Sequence, residues 1–322
     1  MSAPQAAEPP GRWGQAAVLA TCVLLALVPW FSAAAVAPSI AAEWRIGALE
    51  TALLTVAVQL GFALGALALA FIGAVDVVAP RTLVAGGALL AAMANLAFGL
   101  LAADLATAVP LRMLSGAGIA AVYPVALKVL AGWFGRDRGL AVGILIGAIT
   151  LGSALPHLLR AGGTVAGLDW RAVVATATVP CLVGALIAWV GVRDGPMNVP
   201  AARLSLRMAR MALRERSVQL ANLGYLGHMW ELYAMWTWVP AFLAASLAAS
   251  GGVEPGAASA VAFCVVAAGA IGCVAAGALA DRLGRTTLAI AAMALSGSSA
   301  VAAGLLFGAP TVAVLVVAVV WG

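Results

Sequence analysis

Ten stretches of this chain run for 14 or more residues without a single Asp, Glu, Lys or Arg: 13–42, 51–75, 82–103, 113–127, 139–159, 172–192, 217–230, 232–253, 255–280 and 286–322. This succession constrains the fold more than any other feature. A helix needs about 20 apolar residues to cross the hydrocarbon core of a bilayer. Within lipid every main-chain polar group must find its partner inside the structure, so helices are the natural spanning element. Of the 322 residues, 64% are hydrophobic and 9% are charged, whereas soluble domains are about 25% charged. A soluble protein could not hide so much apolar surface. Composition therefore excludes a soluble globular domain, a disordered chain and a conventional nucleic-acid binder.

Gly and Pro clusters trim the runs to nine full spans: TM1 15–37, TM2 51–73, TM3 81–103, TM4 109–131, TM5 139–160, TM6 171–192, TM7 218–245, TM8 256–279 and TM9 286–307. Gly308-Ala309-Pro310 reads as a turn, and the apolar run Thr311 to Gly322 follows it. TM1 is too long for the apolar region of a secretory signal, and Arg12 is the only basic residue ahead of it.

With the N-terminus inside, loops alternate across the membrane. Of the 17 basic residues, Arg45, Arg160 and Arg171 then lie outside, Arg112 lies within TM4, and the other thirteen lie inside. That asymmetry is the positive-inside rule, and it predicts a multi-pass protein of the plasma (inner) membrane with a cytoplasmic N-terminus. The net charge of +5 is thus mostly a topology signal and not a sign of nucleic acid as a partner. In the TM6–TM7 loop, Arg203, Arg207, Arg210 and Arg214 recur at helical spacing. They predict an interfacial helix held by anionic lipid headgroups.

The motifs argue against an enzyme. Gly116-Ala-Gly118-Ile-Ala-Ala121 matches a dinucleotide pattern, but it sits inside a span and not between a strand and a helix. No GxxxxGK[ST] loop occurs, and no His, Cys or acidic cluster has metal-ligand spacing. No cofactor and no metal is expected. Cys22, Cys181, Cys264 and Cys273 all lie in apolar stretches as small buried thiols. Gly139, Gly143 and Gly147 in TM5, and Gly61 and Gly65 in TM2, form small-residue ridges that predict close helix packing.

The segment Gly277-Ala-Leu-Ala-Asp281-Arg282-Leu-Gly284-Arg285 resembles the loop signature GxxxDRxGR of the major facilitator superfamily. The corresponding loop of the first half, Gly73 to Arg81, keeps only Asp76 and Arg81. Arg112-x-x-Ser115-Gly116-x-Gly118 resembles the family's TM4 element. With Tyr123-Pro124, Trp133-Phe134 and Arg138-Gly139 it is similar to the nitrate/nitrite and cyanate porter branch. The resemblance implies an all-α bundle of two six-helix halves that rock about a central cavity. The chain would then divide into a cytoplasmic tail (1–14), a first half (15–193), a basic linker helix (194–217) and an incomplete second half (218–322). Twelve spans are implied, so the sequence is expected to stop before the rest of TM10, TM11 and TM12. Gly277, Asp281, Arg282, Gly284, Arg285, Asp76 and Arg81 become a candidate conformational latch, because a carboxylate at a helix end can meet arginines or helix N-termini.

Ionisable groups inside spans are costly and tend to be functional. Arg112 in TM4 and Glu231 in TM7 are the two well inside. Arg112 could hold an anionic group by charge-assisted hydrogen bonds, and Tyr123, eleven residues on, returns to the same face of a continuous helix. Trp30 and Trp238 are further candidate cavity residues. His228 and Glu231, three apart on TM7, could exchange a proton and couple it to transport. The expectation is a monomeric secondary transporter for a small or organic anion, working by alternating access with a proton as possible co-substrate and lipid as its surroundings. Proton-driven export of hydrophobic or cationic compounds is the alternative, with Glu231 facing the cation. A sensor or scaffold would carry a soluble effector domain, and none is seen in this sequence.

Overall fold

The computed structural model describes residues 8–197, 210–211, 213–251 and 256–322, and the described residues contain helices and no strand. Eight helical segments are long and apolar enough to cross a membrane: Ala48–Ile72, Pro80–Leu101, Leu105–Ala131, Arg138–Val165, Trp170–Gly191, Arg216–Ala249, Ala257–Ala280 and Arg285–Leu305. They coincide with the second to ninth predicted spans. The expected linker-helix residues Arg203 and Arg207 lie outside the described residues, while Arg210 and Arg214 are exposed.

The first predicted span does not form one helix. It is divided into α1 (Arg12–Leu27), α2 (Ser32–Ala35) and α3 (Ala37–Trp44). Pro29 lies just past the end of α1, and Pro38 occupies the first turn of α3, where a missing N–H is harmless. Two other crossings break by the same chemistry. A proline in a helix interior lacks a donor and crowds the carbonyl four residues earlier. Accordingly α7 (Leu105–Ala120) stops four residues before Pro124, and α8 (Tyr123–Ala131) resumes the crossing. Likewise α10 (Trp170–Thr176) stops four before Pro180 and passes into α11 (Thr178–Gly191). The remaining elements are α4 (Ala48–Ile72), α5 (Ala74–Val77), α6 (Pro80–Leu101), α9 (Arg138–Val165), α12 (Arg216–Ala249), α13 (Ala257–Leu283), α14 (Arg285–Leu305) and α15 (Thr311–Trp321).

Helices meet through small residues, as expected where lipid is as apolar as leucine and packing must hold the bundle. On α4, Ala57, Val58 and Gly61 are buried against α7, while Leu60, Leu64 and Leu67 are about half exposed on the opposite stripe. The glycines of the dinucleotide-like pattern belong to this packing. A Cβ on Gly118 would sit 2.6 Å from the Gly87 carbonyl oxygen of α6. The TM5 ridge packs on α13: a Cβ on Gly143 would lie 2.6 Å from the Cys273 carbonyl oxygen, and one on Gly277 would lie 2.5 Å from that of Gly139. At one end of the bundle Glu43 binds Arg171 at 2.7 Å and accepts from the Trp170 indole at 2.6 Å. At the other end Arg12 bridges Glu8 at 2.6 Å and Asp137 at 3.0 Å.

Candidate transport site

Arg112 on α7 is fully buried. Each of its three guanidinium nitrogens donates to a protein oxygen: Nε to the Leu54 carbonyl (3.4 Å), Nη1 to the Pro29 carbonyl and Ser32 Oγ (3.0 Å each) and to Asn95 Oδ1 (3.4 Å), and Nη2 to the Trp30 carbonyl (2.6 Å). Its plane lies 5.3 Å from the centre of the Phe98 ring. All five oxygen partners are neutral. The break after α1 frees the carbonyls of Pro29 and Trp30 from the helical ladder, and a forked cation suits the negative end of a helix. Arg112 therefore completes the end of α1 from another span. Between Arg112 and Tyr123, α7 ends and α8 begins, so the two residues lie on separate helical segments of this crossing.

Around Trp30 the structure gathers rings from three crossings. Trp30 stacks on Tyr233 with centroids 6.0 Å apart and planes 8° apart, and meets Phe62 edge-on at 5.1 Å. Phe31 meets Trp236 edge-on at 5.5 Å. Trp30 and Trp236 are 4% and 5% exposed, yet neither indole N–H has a hydrogen-bond partner among the described residues. Buried donors left unmade are costly and unusual. The sequence pointed to Trp238, which is half exposed, whereas its neighbour two positions back carries the buried ring.

Glu231 and His228 do not bind each other here. The Glu231 carboxylate accepts from the Ser296 hydroxyl of α14 and from the Trp321 indole of α15 (2.7 Å). The His228 Nδ1 is buried without a hydrogen-bond partner among the described residues. Ser296 and Trp321 carried no sequence signal, since one is a small residue among many and the other an aromatic at a helix end.

The latch residues divide between two roles. Asp76 forms an ion pair with Lys128 at the end of α8, and Arg81 lies over the Trp189 ring at 5.7 Å. Gly277 is packed into α9 as described. Gly284 joins α13 to α14 with φ +84°, a left-handed value that glycine adopts without strain, and Arg282 and Arg285 are exposed beside it. The Asp281 side chain lies outside the described residues.

The sequence pattern of the Major Facilitator Superfamily matches residues 19–322. The chain belongs to the major facilitator superfamily. Its relatives are multi-pass membrane transporters. The MFS-type transporter pytF of Aspergillus terreus is 28% identical over 176 residues, which is 54% of this chain and 56% of that protein, so the chain matches about half the length of this curated relative. A D-xylose–proton symporter has the same fold with a TM-score of 0.68 and 16% identity, over 96% of this chain and 78% of the symporter. A bacterial homolog of the human lysosomal transporter Spinster, inward-facing and unoccupied, gives a TM-score of 0.65 at 19% identity, over 98% of this chain and 73% of its own. Among facilitator proteins the fold serves many cargoes, so cargo must be argued from the site.

Proposed function

We propose that this facilitator moves a small organic anion, with the Trp30–Tyr233–Trp236 cluster as its contact surface. One observation carries the reading: the buried Trp30 and Trp236 indole N–H groups lack acceptors among the described residues, and the buried Arg112, which binds the Trp30 carbonyl, has only neutral partners there. Indoles donate and cannot accept, so they suit the oxygens of a carboxylate or oxoanion. Arg112 adds a positive potential without touching the cargo, and its reach is long in a low-dielectric interior. Small-anion cargo also agrees with the porter branch that the TM4 residues resemble. Glu231 is the proton-exchanging group, held between α12, α14 and α15, and His228 lies one turn away on α12. A neighbour of the same fold is named a D-xylose–proton symporter, which agrees with this reading.

In this reading residues 15–193 and 218–322 are the two rocking halves, joined by the basic linker 194–217 and oriented with the N-terminus in the cytoplasm of a plasma membrane. The α9–α13 contact is their moving seam, and the Asp76 and Asp281 loops act as its latches. Uptake of labelled benzoate, an aromatic monocarboxylate, by cells expressing the protein tests the proposal. Uptake should exceed the control, rise as external pH falls, and fall at least tenfold when Trp30 is replaced by Leu. Absence of uptake for benzoate and for a panel of other small anions at every pH would overturn it.

The second reading, proton-driven export of hydrophobic or cationic compounds, draws on the same rings, since Trp30 and Tyr233 offer faces to a cation and Glu231 supplies a carboxylate. A shift in susceptibility to cationic dyes in an efflux-deficient host would favour it.

A further inference from the structure

Asn95 on α6 is fully buried and sits between two broken crossings. On one side its Oδ1 accepts from Ser32 Oγ (2.8 Å) and Arg112 Nη1 (3.4 Å), the groups that hold the Pro29–Ser32 break. On the other its Nδ2 donates to the Val174 carbonyl (2.9 Å) and Thr178 Oγ1 (3.2 Å), at the break between α10 and α11. The Ser32 hydroxyl has one proton to share between Asn95 Oδ1 and the Pro29 carbonyl at 2.9 Å, while it accepts from Arg112 Nη1 at 3.0 Å. The amide is oriented by chemistry alone: only a carbonyl oxygen can face Ser32 and Arg112, and only an NH2 can face the Val174 carbonyl. A buried, mutually satisfied network of this kind selects one arrangement of its members.

We infer that Asn95 is a positioning residue of the transport site, setting the Trp30 ring through Ser32 and Arg112. The inference rests on the reading that Trp30 touches cargo. The Trp30 main chain is held by Arg112 alone among side chains recorded on it, and Arg112 is in turn oriented by Ser32 and Asn95. Freeing that carbonyl lets residues 28–32 move, and the ring moves with them.

Two variants separate the sides of the amide. Thr178→Val removes one acceptor on the α10–α11 side and leaves Asn95, Ser32 and Arg112 in place. Asn95→Leu loses everything, and Ser32→Ala removes the hydroxyl alone should the leucine variant fail to fold. Purified protein in lipid is followed by amide hydrogen exchange at residues 28–36, and benzoate uptake gives KM and Vmax. With Asn95→Leu or Ser32→Ala, exchange at 28–36 should speed by about tenfold and KM should rise about tenfold with Vmax within about twofold, the scale of one hydrogen bond. Thr178→Val should stay close to the parent in both. Unchanged exchange at 28–36 in Asn95→Leu or Ser32→Ala, or a Thr178→Val variant as impaired as Asn95→Leu, would overturn the inference. If the parent takes up no benzoate, the cargo reading fails on its own, and the exchange comparison still decides the role of Asn95.

Discussion

The guanidinium of Arg112 donates to the main-chain carbonyl of Trp30 at 2.6 Å, across 82 residues of sequence. An arginine in the fourth crossing thereby supplies the hydrogen bonds that the first crossing lacks. Replacing Arg112 with Leu should strand the Trp30 carbonyl in a water-free interior, while the Pro29 carbonyl keeps Ser32, at a cost of about 3 kcal/mol. Arg112→Lys should recover only part, because an ammonium cannot fork between carbonyls on one plane. Thermal unfolding in detergent checks this: the midpoint should drop by at least about 5 °C for Leu and less for Lys. Equal midpoints for parent and Leu variant would refute the capping role.

Glu231 carries a different kind of prediction. Glu231→Gln keeps an oxygen for the Trp321 indole and the Ser296 hydroxyl while removing the exchangeable proton. Packing should survive, and uptake should lose its dependence on external pH. A variant whose pH profile matches the parent would exclude Glu231 as the coupling group.

Two glycines of α13 should respond oppositely to the same change. A Cβ on Gly277 would lie 2.5 Å from the Gly139 carbonyl oxygen, whereas nothing lies within 4 Å of one on Gly272. Gly277→Ala should destabilise by about 1–3 kcal/mol. Gly272→Ala should be neutral or stabilise by up to about 1 kcal/mol, through helix propensity alone. Unfolding midpoints of the two variants give the sign directly.

Glu43 links stability to acidity. The Trp170 indole, and after it the Arg171 guanidinium, hold its carboxyl below the ordinary value of 4.5. A folded value below the unfolded one adds stability above pH 4.5 and loses it as the pH falls through the lowered value. The group is open to solvent, so the gain is under about 1 kcal/mol. Glu43→Gln should therefore melt slightly below the parent at neutral pH, and the difference should close as the pH is taken below 4.5. A gap that stays constant into acid would argue against the linkage.

The crossings were legible because charge is excluded from lipid: each run free of Asp, Glu, Lys and Arg between 51 and 307 contains or overlaps a helix long enough to span. TM1 was drawn as one span, 15–37, and its separate helices were not marked there, because the length of an apolar run says nothing about where its ladder is interrupted. Arg112 stood out as an ionisable residue inside a span, but three of its five partners are main-chain carbonyls, which any residue carries and no sequence displays. Trp236 and Trp238 are two steps apart on a helix that is apolar on several faces, so periodicity could not decide which ring is buried. Ser296 and Trp321 lie 65 and 90 residues from Glu231, and only the packing of three helices brings them to it.

The break in the first crossing also dictates an order of assembly. The Trp30 carbonyl waits for a side chain made 82 residues later, long after α1 has left the ribosome. Until α7 arrives, the Pro29–Ser32 segment must keep its water or lean on the insertion machinery, since lipid offers it no partner. The first helix to be synthesised is thus among the later ones to be finished, and its arrival at depth is gated by the fourth.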